Sequence, residues 1–167
     1  MTPVDPANEL RLRVWSRDDR HAIAQWANVL VTHWADTPTV VGLERCDVAS
    51  FDLAARYAPG IVVFNVITSG IRLPDPEVRK KASEVLAKTG GHVRCTATCI
   101  LGEGFWASTA RAMVAGITLL SRQRHPHKVF GAVEDAAQWA ESRLLPEGAR
   151  ASDLVGMLVD LGAHGRK

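Results

Sequence analysis

The hydrophobic and polar residues of this 167-residue chain follow two patterns. Some segments have the arrangement typical of strands, and others have apolar residues at every third or fourth position, which is typical of helices. Near the amino end, the run ELRLRVW from Glu9 alternates leucine and valine with arginine, which predicts a half-buried strand that SRDDR then ends. The next segment, residues 21–36, has two apolar runs on either side of Ala27 and Asn28. We predict an antiparallel hairpin there, with its turn at these two residues.

In five later segments, apolar residues recur every three or four positions, the spacing of a helix with one buried side. The segments are residues 37–60, 74–91, 103–124, 131–144 and 151–162, and the last helix is predicted to begin at Ser152 and to end at Leu161. The predicted buried side of the first helix is formed by positions 40, 43 or 44, 48, 51 and 55. The predicted buried side of the second helix is Val78, Ala82, Val85 and Leu86. That of the third is Phe105, Thr109, Ala112, Met113, Gly116 and Leu120.

Strands are predicted between these helices. Ile61–Ile67 is a continuous apolar run, apart from Asn65, between a Pro-Gly pair and Thr68, and it predicts a central strand buried on both faces. HVRCTATCIL predicts a second central strand and KVF a short one. Strands separated by helices run parallel, so the fold class is α/β, a mostly parallel sheet with an N-terminal hairpin and flanking helices. We expect a mobile leader at residues 1–8 and one domain over residues 9–167.

The composition of the chain argues against several classes of function. The formal net charge is +2, from 20 basic and 18 acidic residues, and lacks the strong positive field of a nucleic-acid-binding domain. No apolar segment is long enough for a membrane span, and the amino end has no secretory pattern. Three cysteines without framework spacing suit a reducing compartment. We therefore expect a cytoplasmic protein that binds no nucleic acid and has no membrane span.

One motif resembles a cofactor-binding loop. Gly102, Gly104 and Ala107 form a G-x-G-x-x-A pattern between a strand and a helix, as in dinucleotide-binding loops. Glu103 would place a carboxylate where the phosphates sit, and the next predicted strand ends without the acidic residue that holds a ribose. The motif is therefore interpreted as a tight strand-to-helix turn, and no cofactor is predicted.

Metal and nucleophile candidates are equally weak. Cys95 and Cys99 share one side of a strand but lie about 13 Å apart at the usual rise per residue, too far to bind one ion. His125 and His127 flank a proline and make a poor site alone. Ser108 and Thr109 lie in a helix, and no nucleophile motif surrounds any serine or cysteine. The prediction is a protein without catalytic or metal-binding residues, although a triad assembled only in the fold stays open as a third hypothesis.

The strongest candidate site is the polar loop after the first central strand, residues 68–76. The carboxyl ends of parallel strands are where open α/β sheets meet ligands and partners. Thr68, Ser69 and Gly70 offer hydroxyl and amide groups, and Arg72 offers a partner for an anion or an acidic protein. The start of the third helix, Glu103 to Trp106, should open on the same edge of the sheet, with Trp106 as an exposed contact residue.

The order of elements resembles the STAS and SpoIIAA-like family, the fold of the anti-sigma-factor antagonists. The matching stretches are AIAQWANVLVTHW, IVVFNVITSG, HVRCTATCILGEGFWASTAR and HPHKVFGAVEDAAQWA, within residues 21–143, which leaves the helix 152–161 as an addition. The resemblance implies a non-enzymatic regulator that binds a protein partner, such as a kinase or another regulator. It also implies Ser69 as a phosphorylation site, because Thr68-Ser69-Gly70 resembles the end of the family's phosphorylated motif.

Two further hypotheses accompany the protein-partner prediction. SpoIIAA-like relatives include lipid- and nucleotide-associated members, so the same sheet edge is alternatively a small-molecule site. The apolar stripe of the last helix, formed by Leu154, Met157, Leu158 and Leu161, is either a homodimer contact or a face that packs back onto the sheet.

Overall fold

Strands and helices alternate along the chain after an all-strand beginning. The computed structural model describes residues 10–163, so the predicted leader and Glu9 lie outside the described residues. The strands are β1 (Arg13–Arg17), β2 (His21–Trp26), β3 (Val29–Trp34), β4 (Ile61–Ile67), β5 (Val93–Ile100) and β6 (His127–Phe130). The helices are α1 (Val40–Arg56), α2 (Pro76–Thr89), α3 (Gly104–Ser121), α4 (Val133–Ala140) and α5 (Ala151–Leu161), with a 3-10 turn at Glu141–Arg143.

The six strands form one mixed sheet in chain order from β1 to β6. The β1–β2 and β2–β3 pairs are antiparallel, whereas β3, β4, β5 and β6 run parallel to one another. The predicted hairpin is confirmed: its turn lies at Ala27 and Asn28, and Ala27 has a φ of 51°. The α/β class predicted from the alternation of strands and helices is thus confirmed.

Helices cover both faces of the sheet. Side chains at alternate positions of β4 and β5, such as Phe64 and Ala97, pack with α4 and α5 in the largest core cluster. The other face carries α1 beside β2 and β3, and α3 beside β5. In contrast to α1 and α3, α2 packs mainly on its two neighbouring helices and stands off the sheet. This arrangement leaves a space under α2, where the candidate site lies.

The helix predicted within residues 74–91 is confirmed as α2. Asp75 caps the helix by accepting a hydrogen bond from the Val78 amide at 3.0 Å, and Pro76 occupies the first turn. Two ion pairs hold the helix to α1: Lys81 to Glu44 at 2.9 Å and Lys88 to Asp47 at 3.6 Å.

Several predicted details were wrong. Within the described residues the first strand is Arg13–Arg17, so the predicted Leu10 and Leu12 lie before it, and it continues through Ser16 with a bulge between Val14 and Ser16. β4 is a central strand as predicted, but on the side that lines the space under α2 its residues Val63, Asn65 and Ile67 are half-buried and not fully buried. The last helix begins at Ala151, one residue before the predicted Ser152.

The predicted buried sides of two helices were also wrong. In α1 the buried residues are Gly42, Cys46, Ala49, Ser50 and Leu53, whereas Val48 and Phe51 are exposed. In α3, Phe105 and Leu120 are exposed by 89% and 75%, and Ala112 and Gly116 are exposed too. The fully buried residues of α3 are instead Ala107, Ala110 and Ser121, and of the predicted set Met113 lines the space under α2.

Candidate functional site

An apolar cavity of about 160 Å³ lies between the sheet and the three helices α1, α2 and α3. Its floor is formed by β3, β4 and β5, and α2 forms its roof. Its smaller lining residues include Val63 on the sheet, Ala82 on α2 and Ala110 on α3. The larger lining residues are Leu30, Trp34, Leu43, Ile67, Leu86, Trp106, Met113 and Ile117.

A row of polar side chains crosses the floor of this cavity. Thr32, Asn65 and Thr98 are paired in register on β3, β4 and β5. The Thr32 hydroxyl donates to Asn65 Oδ1 at 2.7 Å, and Asn65 Nδ2 donates to Thr98 Oγ1 at 3.2 Å. Thr98 Oγ1 lies 3.0 Å from His127 Nε2, and His127 Nδ1 lies 2.8 Å from Thr118 Oγ1 on α3.

The hydrogen bonds of this polar row all point in one direction. Thr98 accepts from the Asn65 amide nitrogen, which leaves its own hydroxyl hydrogen to donate to His127 Nε2. The Thr118 hydroxyl donates to the Val114 carbonyl at 2.8 Å, so its oxygen accepts from His127 Nδ1. Burial, followed by the nearby His125, lowers the pKa of His127 to about 4. The imidazole is therefore neutral at neutral pH and completes the row without a charge in the cavity.

The cavity reaches solvent at the loop that follows β4. Of its lining residues, all in the described part of the chain, Arg72 alone is exposed. Arg72 also lines a polar recess next to the cavity, together with Arg20, Asp36 and Asp75. Arg20 pairs with Asp36 at 3.1 Å, whereas the Arg72 guanidinium has no ion pair within residues 10–163. Arg72 therefore offers an unpaired positive charge at the mouth of an apolar space.

The other predicted loop residues lie close to this mouth in different environments. Thr68 is half-buried, with its hydroxyl 3.0 Å from His33 Nε2. Burial first, and then the Arg17 charge, lower the pKa of His33. Ser69 and Gly70 form an exposed turn, and five residues separate this turn from the first residue of α2, Pro76. The Ser69 hydroxyl thus lies on the loop surface and not at a helix start.

Trp106 lines the cavity and is not the exposed contact residue that the sequence predicted. Its indole N–H donates to the Ile71 carbonyl at 2.8 Å, which ties the start of α3 to the loop after β4. The neighbouring Phe105 projects into solvent instead. Glu103 is exposed at the N-cap position and makes no side-chain capping bond. The two predicted loops therefore meet at the same sheet edge, as expected for parallel strands.

The first glycine of the G-x-G-x-x-A motif allows the two loops to approach each other closely. Gly102 has a φ of 93°, and a Cβ atom added there would clash with Ser69 Oγ. Gly104 has a φ of 80°, and a Cβ atom added there would have no neighbour within 4 Å among the described residues. The Ser69 side chain of the adjacent loop thus lies against Gly102, so a residue without a Cβ atom is needed at this strand-to-helix turn.

The cysteines and the histidines that could be metal ligands lie on opposite faces of the sheet. Cys95 and Cys99 are buried against α4 and α5, and burial raises their pKa values to about 11 and about 12. Thr96 and Thr98, on the other face of β5, bind His125 and His127. Within the described residues, no three His, Cys, Asp or Glu side chains are arranged to hold a metal ion.

The polar row was not predicted from the sequence, although the sequence contains a signal for it. Asn65 interrupts a run of six apolar residues, and Thr32 and Thr98 occupy the middle of two other apolar strands. Polar residues on three successive parallel strands can form a cross-strand row, but β3 and β5 also carry His33, Arg94 and Thr96, so strand register is needed to decide which residues align.

Comparisons of the chain with protein-family models, with curated proteins and with solved structures each found no match. The resemblance to the STAS and SpoIIAA-like family therefore stays a prediction. Among the helices of the described residues, none combines the length and the apolar character needed to cross a bilayer.

Proposed function

We propose that this chain is a non-enzymatic binding module for a small amphipathic molecule, whose apolar part enters the cavity under α2 and whose anionic group meets Arg72. The observation that carries the proposal is the cavity itself, an apolar space whose exposed lining residue is an unpaired arginine. Ligand sites are typically such concave apolar spaces with a few polar groups that fix orientation.

The volume limits the size of the apolar part. A dry cavity of about 150 Å³ in another protein accommodates benzene, and the cavity here measures about 160 Å³. A ring or an acyl chain of about six carbons is therefore the expected size. The polar row on the floor has one spare Asn65 N–H, because within residues 10–163 only one of the two amide hydrogens has a partner. A single oxygen atom on the buried part of the ligand would satisfy it.

Calorimetric titration with a series of straight-chain carboxylates, from butyrate to decanoate, tests the proposal. Each added methylene should strengthen binding about fourfold, because burying a methylene contributes about 0.8 kcal/mol. The gain should stop near about six carbons, where the cavity is full. Absence of binding by every member of the series, together with the matching alcohols, would contradict the proposal.

Two pairs of variants separate the parts of the site. Arg72→Ala should weaken the carboxylates about fivefold and leave the alcohols unchanged, as expected for an exposed charge pair. Arg124→Ala, which removes an exposed arginine from the loop before β6, is the control. Ala82→Leu fills the cavity and should abolish binding of both series, whereas Ala87→Leu on the exposed side of α2 should not.

The hypothesis that the chain binds a protein partner stays a prediction, and the surface that it needs surrounds the mouth of the cavity. Ser69, Arg72 and Glu103 are exposed around the mouth of the cavity, where a partner would contact them. Ser69→Asp combined with Arg72→Ala should weaken capture of such a partner without unfolding the domain. Phosphorylation of Ser69 would place a dianion beside Arg72 and compete with an anionic ligand there.

A further inference from the structure

The outer face of α3 is apolar and uncharged along its whole length. Phe105 is exposed by 89%, Leu119 by 80% and Leu120 by 75%. Between these large residues, the exposed positions are small: Ser108, Ala112, Ala115 and Gly116. The one charged residue of the helix, Arg111, is half-buried and donates toward the Ile100 and Gly102 carbonyls. A face of this kind is unusual for a helix that borders only water, since surface helices normally carry charges there.

The large and small residues of this face are arranged symmetrically about Ala112. Phe105 lies seven positions before Ala112 and Leu119 lies seven after it. Ser108 and Gly116 lie four positions on either side. If two copies of α3 cross antiparallel at Ala112, Phe105 of each copy meets Leu119 of the other, and small residues face each other at the centre. Small central residues allow two helix backbones to approach closely, and the large residues at the ends then interlock.

The charges at the two ends of α3 fit the same arrangement. Glu103 immediately precedes the helix and Arg122 immediately follows it, nine positions before and ten positions after Ala112. Both are exposed, and neither side chain has an ion pair within residues 10–163. The antiparallel crossing brings Glu103 of each copy to the Arg122 end of the other, so that two complementary charge pairs flank the apolar contact.

We infer that α3 is the contact face of a homodimer with twofold symmetry, in which two α3 helices pack antiparallel around Ala112. The contact is isologous, so each residue needs a partner within the same face: Phe105 has Leu119, and Glu103 has Arg122. The cavity-lining side of α3, with Trp106 and Ala110, points the other way and stays free. A pair of helices about 27 Å long buries less than a standard interface, so the dimer is expected to be weak, with a dissociation constant in the micromolar range.

Sedimentation equilibrium of the full chain, over concentrations from about 1 µM to about 1 mM, tests the inference across the affinities expected for a small interface. The wild type should dimerise within this range. Ala112→Arg places two like charges on the twofold axis and should raise the dissociation constant at least about tenfold. Ala87→Arg, the same change at an exposed position of α2, should leave it unchanged.

A charge exchange identifies the orientation of the helices. Glu103→Arg and Arg122→Glu should each weaken the dimer about threefold to fivefold, and the double variant should recover the wild-type dissociation constant. A wild type that stays monomeric throughout the concentration range would overturn the inference. A dimer unaffected by Ala112→Arg would overturn it equally, because the contact would then lie elsewhere. Circular dichroism of each variant separates loss of the contact from loss of the fold.

Discussion

At the scale of single residues, His127 shows how a polar side chain is kept inside an apolar layer. Both of its ring nitrogens have partners, Thr98 at 3.0 Å and Thr118 at 2.8 Å, and Gln123 Oε1 adds a contact at 3.2 Å with Nδ1. A protonated ring would have to donate from both nitrogens, and Thr98 already uses its hydroxyl hydrogen toward Nε2. Burial and this bonding pattern both favour the neutral form.

The lowered pKa predicts a dependence of stability on pH. In the unfolded chain, His127 has a pKa near the ordinary 6.5, and in the fold its pKa is about 4. Between these values the unfolded chain binds more protons, so stability is lost as the pH falls below 6.5. At about pH 5 the loss from this residue is about 2 kcal/mol relative to neutral pH.

Urea unfolding near neutral pH and near pH 5, in the wild type and in His127→Gln, measures this contribution. The variant should lose less stability than the wild type over the same change in pH, by about 2 kcal/mol. Other histidines, such as the buried His125 and the half-buried His92, also have lowered pKa values and keep their own pH dependence in both proteins. Equal pH dependence in the two proteins would contradict the assignment of a neutral His127.

At the scale of elements, which face of a helix is buried depends on neighbours that lie far away in sequence. Apolar residues occur on more than one side of α1 and of α3, so a helical period alone does not decide which side is buried. In α1, Gly42 lies against the Trp34 ring, and a Cβ atom added there would lie 2.9 Å from it. Packing against β3 therefore selects the side with the smaller residues, and Phe51 and Val48 stay exposed.

The contact between the loops after β4 and β5 gives a prediction at this scale. Gly102→Ala should destabilise the fold by about 1 to 3 kcal/mol for its φ alone, and by more because the new methyl group would meet Ser69. Gly104→Ala is the matched control: its φ of 80° is also unfavourable, but open space surrounds the added methyl group.

Thermal and urea unfolding of the two variants measure the difference. Gly102→Ala should be the more destabilised, and Ser69→Gly in the same chain should recover the steric part of the loss. Equal destabilisation of Gly102→Ala and Gly104→Ala would show that Ser69 moves aside freely and that the loops are not held together by this contact.

At the scale of the whole molecule, α5 completes the core. The four residues of its apolar stripe are Leu154, Met157, Leu158 and Leu161, and all are buried in the cluster between the sheet and α4. Of the two sequence hypotheses for this stripe, packing back onto the sheet is therefore the one the structure supports. The Glu141 carboxylate adds a tie, since it accepts from the Ala151 amide at 2.6 Å at the start of the helix.

Removal of α5 should therefore expose core and not a dimer contact. A chain ending at Gly148 is expected to aggregate or to lose cooperative unfolding. Leu158→Ala, at a fully buried position, should cost about 2 to 5 kcal/mol. Val159→Ala, at the neighbouring position that is 53% exposed, should cost little. Recovery of a soluble, cooperatively folding chain without α5 would contradict this role.

The sequence by itself determined the elements and their order. Continuous β-branched runs, turn residues and caps act over a few positions, so Ile61–Ile67, the hairpin at Ala27 and the start of α2 at Pro76 were predicted within a residue or two. Alternation of strands and helices then required a parallel arrangement, which placed the loops at Arg72 and Glu103 at one sheet edge.

Only the tertiary structure decided what lies between those elements. The cavity exists because α2 rests on α1 and α3 and stands off the sheet, and no local pattern in Pro76–Thr89 encodes that distance. The polar row needs Thr32, Asn65 and Thr98 in register, and register is fixed by pairing between strands over thirty residues apart in sequence. Burial, cavity volume and the alignment of side chains on separate strands are long-range properties, because they depend on which surfaces meet when the chain folds.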